Sequence, residues 1–147
     1  MHITEQPIDV AALIAETSDP TCGALVVFEG IVRNHHEGQD VARMRYTGYK
    51  PLAERVLREL EEEVRERFQV PVCRIVHRVG TLEIGEPSVA IVVRAPHRGD
   101  AYRASEYAID TLKHRVPIWK NDFYSDGTSA YQDGIPLSAS KHDKAHT

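Results

Sequence analysis

Sulfur is scarce in this sequence, with two cysteines and two methionines among 147 residues. Cys22 and Cys73 both sit amid apolar residues. Two isolated cysteines form neither a disulfide framework nor a zinc site, so two buried, reduced thiols are expected. Long hydrophobic runs are also missing, and nothing approaches the ~20 apolar residues a helix needs to cross a bilayer. Met1-His2-Ile3-Thr4-Glu5 lacks a basic stretch followed by an apolar one. A cleaved secretion signal is therefore not expected, and the cytoplasm is the expected compartment. The formal net charge of −4 argues against a general nucleic-acid binder. There is no Gly-rich phosphate loop, no G-x-S-x-G elbow and no Cys/His nucleophile arrangement. His35 and His36 have no third ligand at metal spacing, so neither a metal nor a resident cofactor is expected.

What is present is an ordinary globular balance, 41% hydrophobic and 27% charged, in a chain of one-domain length. Pro7-Ile8-Asp9 opens a short helical pattern that runs to about Glu16 and breaks at Ser18-Asp19-Pro20. The run Ala24-Leu25-Val26-Val27-Phe28 predicts a central strand between Gly23 and Val32, buried on both faces, with Gly30 permitting a bulge. Arg33 to Asp40 is polar and predicts an exposed, mobile loop, followed by a strand over Val41 to Tyr46.

Pro51 to about Phe68 is the clearest helix, with Leu52, Val56, Leu60 and Val64 as its apolar spine. Glu54/Arg58, Arg55/Glu59 and Glu61/Arg65 should pair on its wet side. Val70 to Val79 and Ser88 to Ala95 predict strands joined by a Gly80–Pro87 connector. A second helix spans about Gly99 to Val116, with Ala101, Ala104, Ser105, Ala108 and Leu112 as a small-residue packing face. Val116-Pro117 ends it, because proline disfavours helical geometry in the residue before it. Ile118-Trp119-Lys120 resumes extended, and the tail from Asp133 onward should fray. Strands and helices mix without regular βαβ alternation. The expected class is α+β, a mixed, largely antiparallel sheet with packed helices, in a single domain over residues 1–147.

Charge is unevenly distributed. From Val93 to Lys120 there are six Lys/Arg against three acids, plus His97 and His114. Such a local excess suits a small anionic ligand better than a long polyanion. A buried strand delivers Arg33 to its end, and another leads through Pro96 to His97 and Arg98 at a helix N-terminus. Free N–H groups there favour anions, whereas cations at that end disfavour the helix unless an anion absorbs their charge. Lys113 and Lys120 are seven residues apart with Pro117 between, so two elements present them around a corner. An amine crowded by other cations gives up its proton more readily, and can then act as acid, base or nucleophile. Trp119 more naturally packs than binds.

Four segments resemble the molybdopterin synthase catalytic subunit family. They are Phe28-Glu29-Gly30-Ile31-Val32-Arg33, His77-Arg78-Val79-Gly80-Thr81-Leu82-Glu83-Ile84-Gly85-Glu86, Ala95-Pro96-His97-Arg98 and Leu112-Lys113-His114-Arg115-Val116-Pro117-Ile118-Trp119-Lys120, in family order. The resemblance spans roughly residues 1–127. It implies an α/β hammerhead type of fold and a homodimer within a heterotetramer. It also implies a small ubiquitin-like sulfur-carrier partner whose C-terminal Gly-Gly ends as a thiocarboxylate. The implied substrate is cyclic pyranopterin monophosphate (precursor Z), converted to molybdopterin.

By position, Arg33, His97 and Arg98 correspond to the substrate-binding group, and Lys113 and Lys120 to the catalytic lysines. The sequence departs from the family pattern at Thr47, at Asp122 in place of Glu, and over Thr128–Tyr131. Two other readings fit the residues without the resemblance. One is a non-catalytic dimeric module binding a phosphorylated heterocycle, and the other is a subunit that only docks the carrier.

Overall fold

The computed structural model describes residues 1–132; the tail from Asp133 to Thr147 lies outside the described residues. The elements in chain order are β1 (Ile3–Thr4), α1 (Val10–Glu16), β2 (Ala24–Ile31), β3 (His35–His36), β4 (Gln39–Gly48), α2 (Lys50–Phe68), β5 (Val72–Arg78), β6 (Gly80–Glu83), β7 (Pro87–Ala95), α3 (Arg98–Arg115), β8 (Ile118–Tyr124) and β9 (Ser129–Gln132). The class is α+β, as the sequence predicts. No helix among the described residues is long and apolar enough to cross a membrane.

Four strands form one sheet in the order β1-β5-β7-β2, parallel only between β1 and β5. Side chains alternate along a strand, so β7 feeds two cores. Val89, Ile91, Val93 and Ala95 meet α2 and α3, whereas Ala90 and Val92 meet Leu13 of α1. The strand buried on both faces is therefore β7, and β2 is the edge. That corrects the expectation for Ala24–Phe28. Leu25 is 42% exposed, because α1 has only seven residues and leaves part of that face uncovered. The register does shift between Gly30 and Ile31, where a bulge was expected. A Cβ on Gly30 would come within 2.8 Å of Val89 Cγ1, so glycine is what lets β2 lie this close to β7.

The α2 face is rotated from the expected one. Ala53, Leu57, Leu60 and Val64 are buried, while Leu52 and Val56 are only partly so. Two of its acids leave the expected wet side. Glu54 accepts the backbone N–H groups of His2 (3.0 Å) and Ile3 (2.8 Å), tying β1 to the helix. Glu61 is 5% exposed and accepts from Ile75 N (2.7 Å) and Arg74 Nη1 (3.1 Å), with His2 Nε2 at 2.9 Å. A buried carboxylate survives only when paired and hydrogen-bonded, and these three groups do that. The buried face of α3 is the expected one, Ala101, Ala104, Ser105, Ala108 and Leu112. Small side chains let this helix lie close on the sheet.

The second sheet has the order β3-β4-β8-β9, with β6 also on β4. Two expectations change here. The polar stretch after Arg33 is a hairpin, with His35 opposite Asp40 and His36 opposite Gln39. Glu37 (φ 50°) and Gly38 (φ 81°) supply the left-handed two-residue turn that suits strand twist. The Gly80–Pro87 connector contains a strand of its own, β6, paired to β4 through Tyr46↔Gly80 and Met44↔Leu82. Tyr46 packs against the cores of both sheets and so sits at their junction.

Candidate active site

The corner between α3 and β8 is built by residues the sequence singles out. Ile109, Leu112, Lys113 and Val116 recur at helical spacing and line one cavity together. Val116 N donates to Leu112 O (3.1 Å), and Ile118 N to Val116 O (2.8 Å), turning the chain sharply about buried Pro117. Strand alternation then puts Ile118 and Lys120 on the cavity side and takes Trp119 off it. Gly48 packs under this corner, where a Cβ would lie 3.0 Å from Ile118 Cγ1.

Arg33 reaches the same cavity from the other sheet. Val32 before it is buried and held at both ends, its N–H donating to Glu86 O (3.0 Å) and its carbonyl accepting from Gly85 N (2.9 Å). Arg33 therefore leaves a rigid anchor at the rim. The hairpin carries His35 and His36 over the opening, and Phe28, Tyr46, His77, Ser88 and Val89 complete the wall. The cavity holds about 300 Å³, room for a small ligand and not for a polymer. Arg33, Lys113 and Lys120 thus converge on one space.

His97 and Arg98 do not join them. His97 is the N-cap of α3, in extended backbone and without a side-chain cap hydrogen bond, and both side chains are exposed. Lys113 stands in the last turn of the same helix, about 22 Å away along its axis at ~1.5 Å per residue. Within one chain the two cationic groups serve opposite ends of α3.

Two residues with no assigned role stand out. His77 lines the cavity at 4% exposure, and burial pushes its imidazole down to a pKa of about 4. A histidine in the strongly apolar β5 pattern is its only signal in the sequence. Asp122 is fully buried on the Lys120 face of β8. The cysteines stay outside the site. Burial raises Cys73 to about 12, and Cys22 is half-buried, less enclosed than expected. Among the described residues no group of three or more His, Cys, Asp or Glu could hold a metal ion.

Residues 3–115 match the family described as MoaE protein. The molybdopterin synthase catalytic subunit of Bacillus subtilis (strain 168) is 38% identical, with 92% of each chain covered. The crystal structure of molybdopterin synthase from Staphylococcus aureus superposes with a TM-score of 0.84 at 40% identity, covering 89% of this chain and 95% of that one. A Helicobacter pylori 26695 structure described as a complex of subunits 1 and 2 of molybdopterin-converting factor aligns with a TM-score of 0.71 at 25% identity, over 88% of each chain. With its four ordered segments, its α+β sheets and its cationic corner, the chain belongs to the MoaE family of molybdopterin synthase catalytic subunits.

Proposed function

We propose that the cavity holds cyclic pyranopterin monophosphate and transfers sulfur to it from the C-terminal thiocarboxylate of a small ubiquitin-like carrier. The observation that carries this is the convergence of Arg33, Lys113 and Lys120 on one small cavity with no cysteine in its lining. A site rich in cations but without its own sulfur nucleophile needs the nucleophile delivered, and a carrier tail delivers it. In each transfer a carbon–sulfur bond replaces a carbon–oxygen bond of the substrate, whose oxygen leaves as water or stays on the phosphate, and water cleaves the acyl–sulfur bond so that the carrier ends as a carboxylate. Two such transfers make the dithiolene of molybdopterin.

In this reading Arg33 binds the anionic part of the substrate. Lys113 assists the attack of the thiocarboxylate and moves the proton. Lys120 stabilises the negative charge that develops. His97 and Arg98 belong to the substrate-binding group only if a second copy of the chain brings its α3 N-terminus to this cavity, as a homodimer would.

The test mixes the purified chain with precursor Z and thiocarboxylated carrier, and quantifies molybdopterin as its fluorescent oxidised derivative. Wild type should form product, and Lys113→Ala and Lys120→Ala should lose it while remaining folded. Precursor binding without product, in the presence of a competent carrier, would leave only a binding module.

A further inference from the structure

The cations of the cavity can only donate hydrogen bonds, since guanidinium and ammonium groups carry no acceptor. They suit phosphate and carbonyl oxygens and leave the N–H groups of a heterocycle unrecognised. The imidazole of His77 is a group of the opposite kind. Its Nδ1 lies 2.7 Å from the carbonyl oxygen of Arg78, so Nδ1 carries the proton and donates it. That bond fixes the tautomer and leaves Nε2, at the far side of the ring, as a bare lone pair. The Tyr46 ring packs edge-on against it, with centroids 5.0 Å apart, and helps hold the ring's orientation. No group among the described residues hydrogen-bonds Nε2, yet it is not one of the sealed polar atoms without a partner. His77 itself lines the cavity, the open space beside the ring.

We propose that His77 Nε2 accepts a hydrogen bond from a ring N–H or amino group of the bound heterocycle, making His77 a specificity-determining residue of this site. The inference rests on the reading of the cavity as a pterin-phosphate site. Burial keeps the imidazole neutral, with its pKa near 4, so the acceptor persists throughout the neutral range. A ligand that satisfies the whole wall is anionic at one part and an N–H donor at another. Inorganic phosphate meets the first demand only, and a phosphate-bearing pterin meets both.

The experiment compares dissociation constants of precursor Z and of inorganic phosphate across three proteins. His77→Leu should weaken precursor binding about tenfold, the worth of one lost hydrogen bond to a buried acceptor, and leave phosphate binding unchanged. His77→Gln, whose amide oxygen reaches the same region, should recover most of the loss. A folded His77→Leu that binds precursor like wild type overturns the proposal. So does one that loses both ligands in parallel, which marks a structural role. Should the leucine variant not fold, ¹⁵N NMR of the wild-type imidazole decides. The Nε2 resonance of His77 should move to its hydrogen-bonded position on saturation with precursor Z and stay in place with phosphate; an unmoved resonance with precursor overturns the proposal. A wild-type chain that binds no precursor removes the functional reading and this one together. Wild-type binding and turnover with an indifferent His77 removes this one alone.

Discussion

The two ends of α3 carry the cations that the sequence groups together, and the fold treats them oppositely. At the N-terminal end, β7 runs out through Pro96 to His97 and Arg98, which lie on the surface. The neighbouring Arg103–Asp100 pair is exposed as well. At the C-terminal end, Lys113 meets a corner of buried Val116, Pro117 and Ile118 and a wall supplied by β2, β4, β5 and β7. Both ends are positively charged. Lys113 is itself exposed, as His97 and Arg98 are, but only its end borders a cavity walled by other elements. Cations make a site where other elements bring several of them around one space, since isolated charges facing open water are screened from one another.

The sharpest way to break this comparison is to neutralise each end in turn. Lys113→Ala and Lys120→Ala should each lower the single-turnover rate of molybdopterin formation by roughly 10²–10⁴-fold, the usual worth of a positioned acid or base. Precursor affinity should stay nearly constant. An equal loss of affinity would make the lysines binding groups.

Acid should act through the enclosed end. His77 has its pKa pushed down from 6.5 to about 4 by burial, so the fold favours its neutral form. Between those values the unfolded chain binds more protons than the folded one. Stability present above pH 6.5 is therefore lost as the pH falls towards 4, by about 3 kcal/mol from this group. Urea denaturation should show a shallower acid loss in His77→Gln than in wild type. Parallel curves would sink that attribution.

Arg33→Ala should weaken precursor binding by about tenfold, as expected for one charge-assisted contact, and Arg98→Ala should match it only if a second copy brings Arg98 to the cavity. The two ends are best told apart by mixing. With precursor well below the dissociation constant of Arg98→Ala chains, adding inactive Lys113→Ala chains should raise activity above that of the Arg98→Ala chains alone if the α3 N-terminus serves the cavity of a second copy. The mixed dimer then contains one site with both residues intact. No recovery after subunit exchange would separate His97 and Arg98 from the reaction.

The smallest effect is expected at the exposed pair. Asp100→Asn should change stability by less than about 1 kcal/mol in urea titration, because surface ion pairs contribute little. A larger loss would show that the N-terminal end is more organised than its exposure implies.

Much of this was legible from local pattern. The helices, the small-residue face of α3 and the turn at Pro117 follow from periodicity and proline chemistry, which act over a few residues. The hairpin at His35–His36 was missed because its polar composition resembles a loop, and only the left-handed Glu37-Gly38 turn closes it. Charge pairing on α2 misled for a similar reason. Spacing places Glu61 opposite Arg65, but tertiary contact hands it the N–H of Ile75 and the guanidinium of Arg74 instead.

The sequence by itself determined the class of the fold, the cation inventory and the fact that two elements present Lys113 and Lys120 around a corner. Only the tertiary structure decided that β7 and not β2 is the central strand. It also decided that Arg33 shares the lysines' cavity while Arg98 stands at the far end of an 18-residue helix, and that His77 lines that space with its Nδ1 held by a backbone carbonyl. Periodicity records which side of an element is buried. Strand order, helix length and the meeting of two sheets decide what it is buried against, and these depend on residues far apart in the chain.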